Sequence, residues 1–343
     1  MLHRELQVFS SSYSISLVME TVVEAELCFP ELGNSSCKKH LRPRSEALLI
    51  YSVLCCISLL TVVLNLLVIV SISHFRQLHT PTNLLLLSLA VSDFLVGLIV
   101  MPFEIVLNET CWLPGDPLCA AYYILPFIGV SASVGNMVLI SVDRYVAICD
   151  PLRYPTKVTQ SAVKVCVLLC WFNSALYNLA FLFNNLKQSD KFYSCHGECA
   201  ININGAVDLM ISFFIPITAI VLMYMRVFVV AVSQTRALRS QITAVKSKHS
   251  LTVQKSELKA ARTLGVVVAV FLLCYCPYYC VTLSGYNLTM VSSTKAFLDF
   301  LVLFNSSLNP GIYTFLYPWF RKSIKLIVTL AILQPNSSKA KVM

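Results

Sequence analysis

Long apolar stretches alternate with short polar ones along almost the whole chain. Each apolar stretch reaches about 20 residues or more, the length at which an α-helix crosses the hydrocarbon core of a bilayer. None shows the strand-like alternation of a membrane β-barrel. Because lipid cannot satisfy open backbone groups, each stretch is predicted to be a helix. The seven predicted spans are Ala47–Ser73, Thr82–Leu107, Leu118–Cys149, Ser161–Phe183, Ile203–Val232, Leu258–Tyr286 and Thr294–Leu316.

The composition supports a membrane protein with several spans. Hydrophobic residues make up 57% of the chain and charged residues only 13%, and a soluble domain could not keep that much apolar surface out of water. The predicted fold class is an all-α membrane protein, a seven-transmembrane-helix bundle with a short amphipathic eighth helix. The predicted divisions are an extracellular tail over 1–46, the bundle over 47–317, and the amphipathic helix with a cytoplasmic tail over 318–343.

The distribution of basic residues predicts the orientation in the membrane. An odd number of spans puts the termini on opposite sides, and Lys and Arg favour the cytoplasmic side. Basic residues over 38–44 oppose this locally, but three glycosylation sequons, at Asn34, Asn108 and Asn287, fall on the proposed outer side. The prediction is a multi-pass plasma-membrane protein with its N-terminus outside. The basic residues of the loop Ser233–Glu257 and of the tail are Arg236, Arg239, Lys246, Lys248, Lys255, Arg321, Lys322, Lys325, Lys339 and Lys341.

The net charge and the first 18 residues each bear on what the chain is expected to bind and where its folded part begins. The net charge of +9 is mostly this cytoplasmic excess, so it gives no reason to expect a nucleic-acid partner. Residues 1–18 lack the parts of a signal peptide. A start at Met19 would leave a shorter tail, so the first 18 residues are a candidate artefact of gene prediction.

Short motifs occur in a fixed order along the predicted helices. Cys119 opens the third helix, and Asp143-Arg144-Tyr145 closes it. One such motif alone is weak evidence, but this ordered set resembles the rhodopsin-like G-protein-coupled receptors. The other members of the set are Asn65 in the first helix, Leu89–Asp93 in the second, Trp171 in the fourth, Pro216 in the fifth, Pro277 in the sixth and Asn309–Tyr313 in the seventh.

The seventh helix contains a motif of one family within this receptor class. Its segment NSSLNPGIYTFLYPWF is similar to the fingerprint of the trace amine-associated receptors, and so is the N-terminal segment ELCFPELGNSSC. The resemblance covers about Glu26 to Leu326. It implies a receptor with no enzymatic activity and no cofactor apart from an allosteric sodium ion. The implied partner is a heterotrimeric G protein, expected to be of the stimulatory class.

Asp93 is the candidate centre of an ion site. A carboxylate deep in a span costs about 2.5–3.5 kcal/mol on insertion scales, so it needs partners. The resemblance implies that Ser133, Asn305 and Asn309 surround a sodium ion with this carboxylate, as an all-oxygen site for a hard cation. The alternative is a hydrated polar cluster without sodium.

The cytoplasmic ends of the third and sixth helices carry charges that could form a switch. Arg144 follows Asp143 and could pair with it, and the resemblance implies that Glu257 holds the arginine in the inactive state. The alternative is a pair of solvated charges that never meet. The resemblance also implies tyrosines that swing inward on activation and prolines that kink the moving helices, namely Tyr224, Tyr313, Pro277 and Pro310.

Two inner segments are predicted to contact partners. Pro151 and Leu152 match the G-protein contact of the class. After Pro318, the segment WFRKSIKLI alternates apolar and basic residues at helical spacing. This pattern predicts an amphipathic helix that lies on membrane lipid.

The outer cysteines lie in a compartment that permits disulfide bonds. The resemblance implies two bonds and leaves Cys111 without an assigned partner. The implied bonds are Cys119 with Cys199, and Cys195 with Cys28 or Cys37.

Pro126 occupies an unexpected position for an amine receptor. Most amine receptors of this class use an aspartate seven residues after the third-helix cysteine and eighteen before the arginine. Counting forward from Cys119 and back from Arg144 reaches Pro126 both times. The usual anchor for an ammonium group is therefore absent, and the proline also removes a helical hydrogen bond.

Asp208 is the leading candidate to replace that anchor. An ionisable residue inside a span is by default a candidate functional residue. Ser212 lies four residues on, on the same helix face. The position resembles a branch of fish trace amine receptors in which a fifth-helix aspartate takes over the lost charge. The alternative is an interfacial aspartate that faces the outer loop or caps the helix.

Further side chains are predicted to line the same cavity. Asp299 could be a second carboxylate, which would suit a diamine or polyamine, although it could instead pair with Lys295 on the same helix face. Tyr275 stands where the class has tryptophan, and Leu303 where amine receptors have a tyrosine that bonds the missing aspartate. Aromatic rings would add cation–π attraction. The other candidate wall residues are Phe127, Val130, Tyr278, Tyr279 and Phe300.

The sequence thus predicts a chemosensory receptor for a small protonated amine. A receptor for a neutral or peptide ligand, with Asp208 structural, is the main alternative. A transporter would show paired half-molecule repeats, which are not seen. The motifs HExxH and GxSxG are absent, which argues against a membrane enzyme.

Overall fold

The computed structural model describes residues 27–37, 44–107, 111, 116–186, 209–241, 248–284 and 293–342. Long helices dominate these ranges. The principal helices are α1 (Arg44–His74), α2 (Pro81–Leu95, a π-helical turn Val96–Val100, and Met101–Leu107), α3 (Asp116–Cys149), α4 (Gln160–Leu186), α5 (a π-helical turn Met210–Phe214, and Ile215–Gln241), α6 (Lys248–Leu283), α7 (Ser293–Leu316) and α8 (Pro318–Val328).

Within the described residues these helices coincide with the predicted apolar stretches, whereas the predicted start at Ile203 and the predicted end at Tyr286 lie outside them. Within the described residues, five helices are long and apolar enough to cross a membrane, and a shorter apolar helix covers Gly265–Val281. The predicted ends at Cys149 and Leu316 agree with α3 and α7. α6 begins at Lys248, earlier than the predicted Leu258, because a helix can continue into water beyond the apolar segment that the hydropathy marks.

Two helices contain a π-helical turn just before a proline. The turn Val96–Val100 precedes Pro102, and the turn Met210–Phe214 precedes Pro216. A proline cannot donate a backbone hydrogen bond and its ring crowds the preceding turn, so a widened turn relieves the conflict. Each π-turn changes the rotation of the residues beyond it relative to a regular helix.

α3 lies at the centre of the described bundle, where it contacts α2, α4, α5 and α6. The approach to α4 is close, because a Cβ on Gly135 would overlap the Cys170 Sγ atom. Trp171 in α4 donates an indole hydrogen bond to Ser88 Oγ in α2 at 3.0 Å. These contacts hold α4 against α3 and α2.

The last part of the chain packs against α1 and α7 at one end of the bundle. Trp319 and Phe320 of α8 are buried, whereas Arg321 and Lys322 are exposed, so the helix is amphipathic. Beyond α8 the chain turns back, and the buried Val342 donates its backbone N–H to Gln77 Oε1 at 3.3 Å.

Candidate functional site

The structure describes every predicted ligand residue except one. Asp208 is outside the described residues, so its role stays a prediction. Tyr275 is 3% exposed and forms part of the core. The remaining predicted wall residues are half-buried, namely Phe127, Val130, Ser212, Tyr278, Tyr279, Asp299 and Phe300.

Aromatic rings join α5 to α6 beside these positions. Phe213 stacks on Tyr279 with ring centroids 4.0 Å apart, and Tyr278 meets the edge of Tyr279 at 5.3 Å. One turn deeper, Tyr275 stacks on Phe271 at 4.4 Å. Phe213 was not predicted from the sequence. It follows Ser212 inside a π-turn, where a regular helical period does not reveal which side chain faces the neighbour.

The Asp93 carboxylate is fully buried and accepts hydrogen bonds from α7. Ser306 Oγ donates to Asp93 Oδ1 at 2.9 Å, and Asn309 Nδ2 donates to Oδ2 at 2.8 Å. Ser133 Oγ lies 3.5 Å from Oδ1 and donates more closely, at 2.9 Å, to Ser92 Oγ. The structure therefore brings together Asp93, Ser133 and Asn309, and it adds Ser306, which the sequence analysis missed.

Two amide oxygens of α7 are further candidate ligand atoms, and one of them belongs to Asn309, whose Nδ2 atom donates to Asp93. The Oδ1 atoms of Asn305 and Asn309 are buried and have no hydrogen-bond partner among the described residues. Carboxylate, hydroxyl and amide oxygens are the ligands that hard cations prefer. The residues present therefore fit a sodium ion, and occupancy by that ion stays a prediction.

Near the C-terminal end of α3, Asp143 and Arg144 form a buried cluster. Arg144 donates to Asp143 Oδ2 from Nη2 at 2.6 Å and from Nε at 2.9 Å, and the two side chains are only 4% and 2% exposed. Arg144 Nη2 also donates to Thr82 Oγ1 at 2.7 Å, which in turn donates to Asp143 Oδ2 at 3.0 Å. Thr82 was not predicted to take part.

Tyr154 connects the second inner loop to this cluster. It lies in the one-turn helix Tyr154–Lys157 and donates to Asp143 Oδ1 at 2.9 Å. Burial, followed by the negative charge of Asp143, raises the pKa of Tyr154 to about 12, so the hydroxyl keeps the proton that it donates. The side chain of Glu257 lies outside the described residues, and its contact with Arg144 stays a prediction.

The remaining predicted switch residues are inside helices. Pro277 lies within α6 and Pro310 within α7. The hydroxyls of Tyr224 and Tyr313 are buried without a hydrogen-bond partner among the described residues. Their predicted movement is untested.

One predicted disulfide alternative requires correction. Cys28 is bonded to Cys111, with Cα atoms 5.5 Å apart, so Cys28 is not available for Cys195. The sequence alone left Cys111 unassigned because the pairing depends on how the tail folds over the first outer loop. Cys37 and Cys119 are also disulfide-bonded. Their predicted partners, Cys195 and Cys199, lie outside the described residues.

The glycosylation candidates fall mostly outside the described ranges. Asn34 is in the 3₁₀ helix Pro30–Ser35, which lies in the tail segment that Cys28 fixes. Asn108 and Asn287 are outside the described residues. All three modifications remain predictions.

Known proteins resemble the chain over most of its length. The family model of the 7 transmembrane receptor (rhodopsin family) matches residues 64–313. Trace amine-associated receptor 1 of Mus musculus is 39% identical over 305 residues, which is 85% of this chain and 92% of that protein. The chain belongs to the trace amine-associated receptors.

Two other relatives of this receptor have similar coverage. Trace amine-associated receptor 13c of Danio rerio is 36% identical over 325 residues, 92% of this chain and 95% of that protein. Trace amine-associated receptor 9 of Rattus norvegicus is 39% identical over 327 residues, 92% of this chain and 96% of that protein.

Membership of this family confirms the predicted fold, the predicted receptor function and the absence of an enzymatic role. The receptor has the seven-helix architecture of the rhodopsin family and belongs to a receptor class without enzymatic activity. It is a multi-pass protein of the plasma membrane, and a G protein is its partner on the cytoplasmic side.

Proposed function

We propose that this receptor senses a small protonated amine and that Asp208 is the counter-ion of the ammonium group. The observation that carries the proposal is Pro126. It stands in α3 at the position from which the usual aspartate is missing, so the positive charge needs a carboxylate elsewhere in the cavity. An unpaired ammonium would not leave water for a pocket of low dielectric constant. The names of the relatives, all trace amine-associated receptors, support an amine as the ligand.

Aromatic side chains would supply the rest of the binding energy. The Tyr279 ring contacts the rings of both Phe213 and Tyr278, and Ser212 precedes Phe213 in the same π-turn. A cation against such rings gains about 0.5–2 kcal/mol. Asp299 is half-buried in α7, and as a second carboxylate it would favour a diamine or polyamine over a monoamine.

Ligand binding would shift an equilibrium between two states of the cytoplasmic end. The Asp143–Arg144 cluster suits the inactive state, because its charges are paired and buried. A sodium ion at Asp93 would add positive charge beside α7 in that same state. Opening would release Arg144 from Asp143 and Glu257, bend α6 and α7 at Pro277 and Pro310, and turn Tyr224 and Tyr313 inward.

The proposal also covers the G protein, the sensory role and the orientation of the receptor in the membrane. Leu152 of the second inner loop is 93% exposed, as a G-protein contact requires, and Pro151 beside it is also exposed. We expect coupling to the stimulatory class and a chemosensory, olfactory role. α8 would lie on the inner leaflet with its basic side chains toward lipid headgroups, and the N-terminus would be outside.

A cyclic AMP reporter in cells that express the receptor tests the proposal. Monoamines and diamines are compared on the wild type, Asp208→Ala, Asp299→Asn and the control Glu31→Gln, which changes an exposed acid of the tail segment. We expect Asp208→Ala to lower potency at least a hundredfold, since a buried ion pair loses about 3–5 kcal/mol when one partner is removed. Asp299→Asn should weaken diamines alone, and Glu31→Gln should change nothing.

A full amine response in Asp208→Ala at matched surface expression would refute the fifth-helix anchor. A wild type that is silent to amines but responds to a neutral compound would favour the alternative of a non-amine ligand, with Asp208 in a structural role.

A further inference from the structure

Asn178 in α4 reaches across to the outer half of α3. Its side chain is buried, and its amide nitrogen donates to Ser174 O of its own helix at 2.7 Å. The same nitrogen lies 3.1 Å from Ser131 Oγ and 3.4 Å from Phe127 O. An amide group has two hydrogens. One is used within α4, which fixes the side chain, and the other is shared between the two acceptors on α3.

This contact lies next to the turn of α3 that contains Pro126. Pro126 removes one backbone hydrogen bond, so the carbonyl four residues earlier lacks its helical donor. Helices bend at such points unless a neighbour supports them. Phe127 and Ser131, which Asn178 contacts, are four residues apart and therefore share one face of α3 just beyond the proline.

The other side of α3 is held by α2. Gly129 is two residues from both Phe127 and Ser131, which places it on roughly the opposite face of the helix. A Cβ there would lie 3.5 Å from Val96 Cγ2, at the start of the α2 π-turn, so the two helices are in close approach. The face with Pro126 and Val130 lies between these two contacts.

We propose that Asn178 is a positioning residue for ligand recognition. By holding Phe127 and Ser131, it sets the direction of the α3 segment beyond Pro126 and with it the shape of the cavity wall at Val130. Asn178 itself does not touch the ligand. The inference rests on the proposed function in so far as that cavity binds an amine.

A double-mutant cycle tests the contact. Asn178→Leu removes the donor, Ser131→Ala removes one acceptor, and each is measured alone and together. We expect Asn178→Leu to raise the effective concentration of amines by about three- to tenfold, as for one lost hydrogen bond, and to change the potency ratio between short and long monoamines. The double variant should be no worse than Asn178→Leu. Additive effects would show that the two residues act separately.

A second bond from the same helix supplies the matched control. Trp171→Phe removes the donor to Ser88, deeper in the bundle and away from Pro126. It should leave the ratio between short and long amines unchanged at matched surface expression. A ratio that moves equally in Trp171→Phe and Asn178→Leu would reduce Asn178 to a general packing contact and overturn the proposal.

Cysteine labelling in the absence of ligand tests the positioning role of Asn178 independently of whether the receptor binds an amine. Phe127→Cys is introduced into the wild type and into Asn178→Leu, and labelling by a charged, membrane-impermeant thiol reagent is timed, with each parent lacking that cysteine as background. We expect at least a threefold change in rate when Asn178 is replaced. Equal rates would overturn the positioning role even in a receptor that responds to amines, whereas a changed rate would uphold it in a receptor that does not.

Discussion

Side chains from other segments of the chain donate hydrogen bonds to Asp143 in the charged cluster of α3. Tyr154 supplies one of them from outside the membrane-spanning part of the chain. We expect Tyr154→Phe to raise basal cyclic AMP, because a bond to a charged group contributes about 1.5–3 kcal/mol and here holds the paired state of Asp143 and Arg144. The measurement is ligand-free reporter activity, normalised to surface expression.

A nearby ion pair gives the control for Tyr154→Phe. Lys157 and Asp150 are 3.1 Å apart on the surface, with side chains 52% and 36% exposed. Exposed pairs contribute little, so Lys157→Ala should leave basal activity unchanged. Basal activity in Tyr154→Phe no higher than in Lys157→Ala would mean that this loop does not restrain the switch.

The buried carboxylate of Asp93 predicts a dependence on sodium. In the wild type, replacing sodium outside the cells by a large organic cation should increase amine potency, since a bound sodium ion would favour the inactive state. Asp93→Asn removes the charge that attracts the cation, so its potency should be the same in both media. The control is Ser71→Ala, in which a buried hydroxyl bonded to Leu67 O of its own helix is lost. Persistent sodium sensitivity in Asp93→Asn would contradict the site.

The motif residues around Asp93 and Asp143 could be predicted from the sequence. The contacts that could not be predicted depend on how helices rotate and on which distant segments meet after folding. Asp93 and Asn309 stand in recognisable motifs, whereas the bond from Ser306 depends on the rotation of α7, which its neighbour Asn305 does not reveal. Thr82 and Tyr154 come from separate segments and meet Asp143 only after folding. Asp208 remains a prediction from its position in the chain.

Among the helices, the close approach of α3 and α4 depends on a missing side chain. Gly135 leaves room for Cys170, whose Sγ atom would overlap any Cβ at that position. Gly135→Ala should therefore separate the two helices and cost about 1–3 kcal/mol, as overpacking usually does. The expected results are a lower melting temperature of the detergent-solubilised receptor and less receptor at the cell surface.

Two variants make the Gly135 prediction specific. Cys170→Ala shortens the opposing side chain, so it should restore part of the stability of Gly135→Ala. Gly311→Ala in α7 meets nothing within 4 Å and should be neutral or slightly stabilising. A destabilised Gly311→Ala, or a failure of Cys170→Ala to rescue, would point to helix flexibility instead of the α3–α4 contact.

The long helices themselves follow from hydropathy, because lipid-facing and core-facing residues are both apolar over a full span. The π-turns do not, since a local change of period over five residues is hidden in a continuous apolar run. Because of such a π-turn, the role of Phe213 could not be predicted from the sequence. A regular helix offers no reason to single it out, yet it stacks on Tyr279 in the candidate cavity.

For the molecule as a whole, the chain after α8 folds back onto the bundle, and the tail segment 27–37 folds on itself. On the cytoplasmic side, His74 Nε2 lies 3.0 Å from Ser337 Oγ, near the buried Val342. On the outer side, Cys28 donates its backbone N–H to Cys37 O at 2.8 Å, which closes the segment between them into a compact loop. Hydropathy predicts neither arrangement, because both use polar contacts and short apolar side chains.

The Cys28–Cys111 bond is the covalent part of the outer arrangement, and it joins residues 83 apart in sequence. A bond that closes so long a loop restricts the unfolded chain and typically contributes about 2–4 kcal/mol. Replacing both cysteines by serine should therefore lower the melting temperature, followed by the intrinsic fluorescence of the three tryptophans. Amine release should also become faster, since the tail loop would then lose its link to the first outer loop.

The exposed free cysteine Cys280 supplies the comparison, and Cys280→Ser should melt like the wild type. The single variants carry the decisive information. Cys28→Ser and Cys111→Ser should each be as unstable as the double variant, because losing either sulfur breaks the same link. Additive losses from the two single changes would mean that Cys28 and Cys111 have different partners, and the tail loop would then be tied to another part of the outer surface.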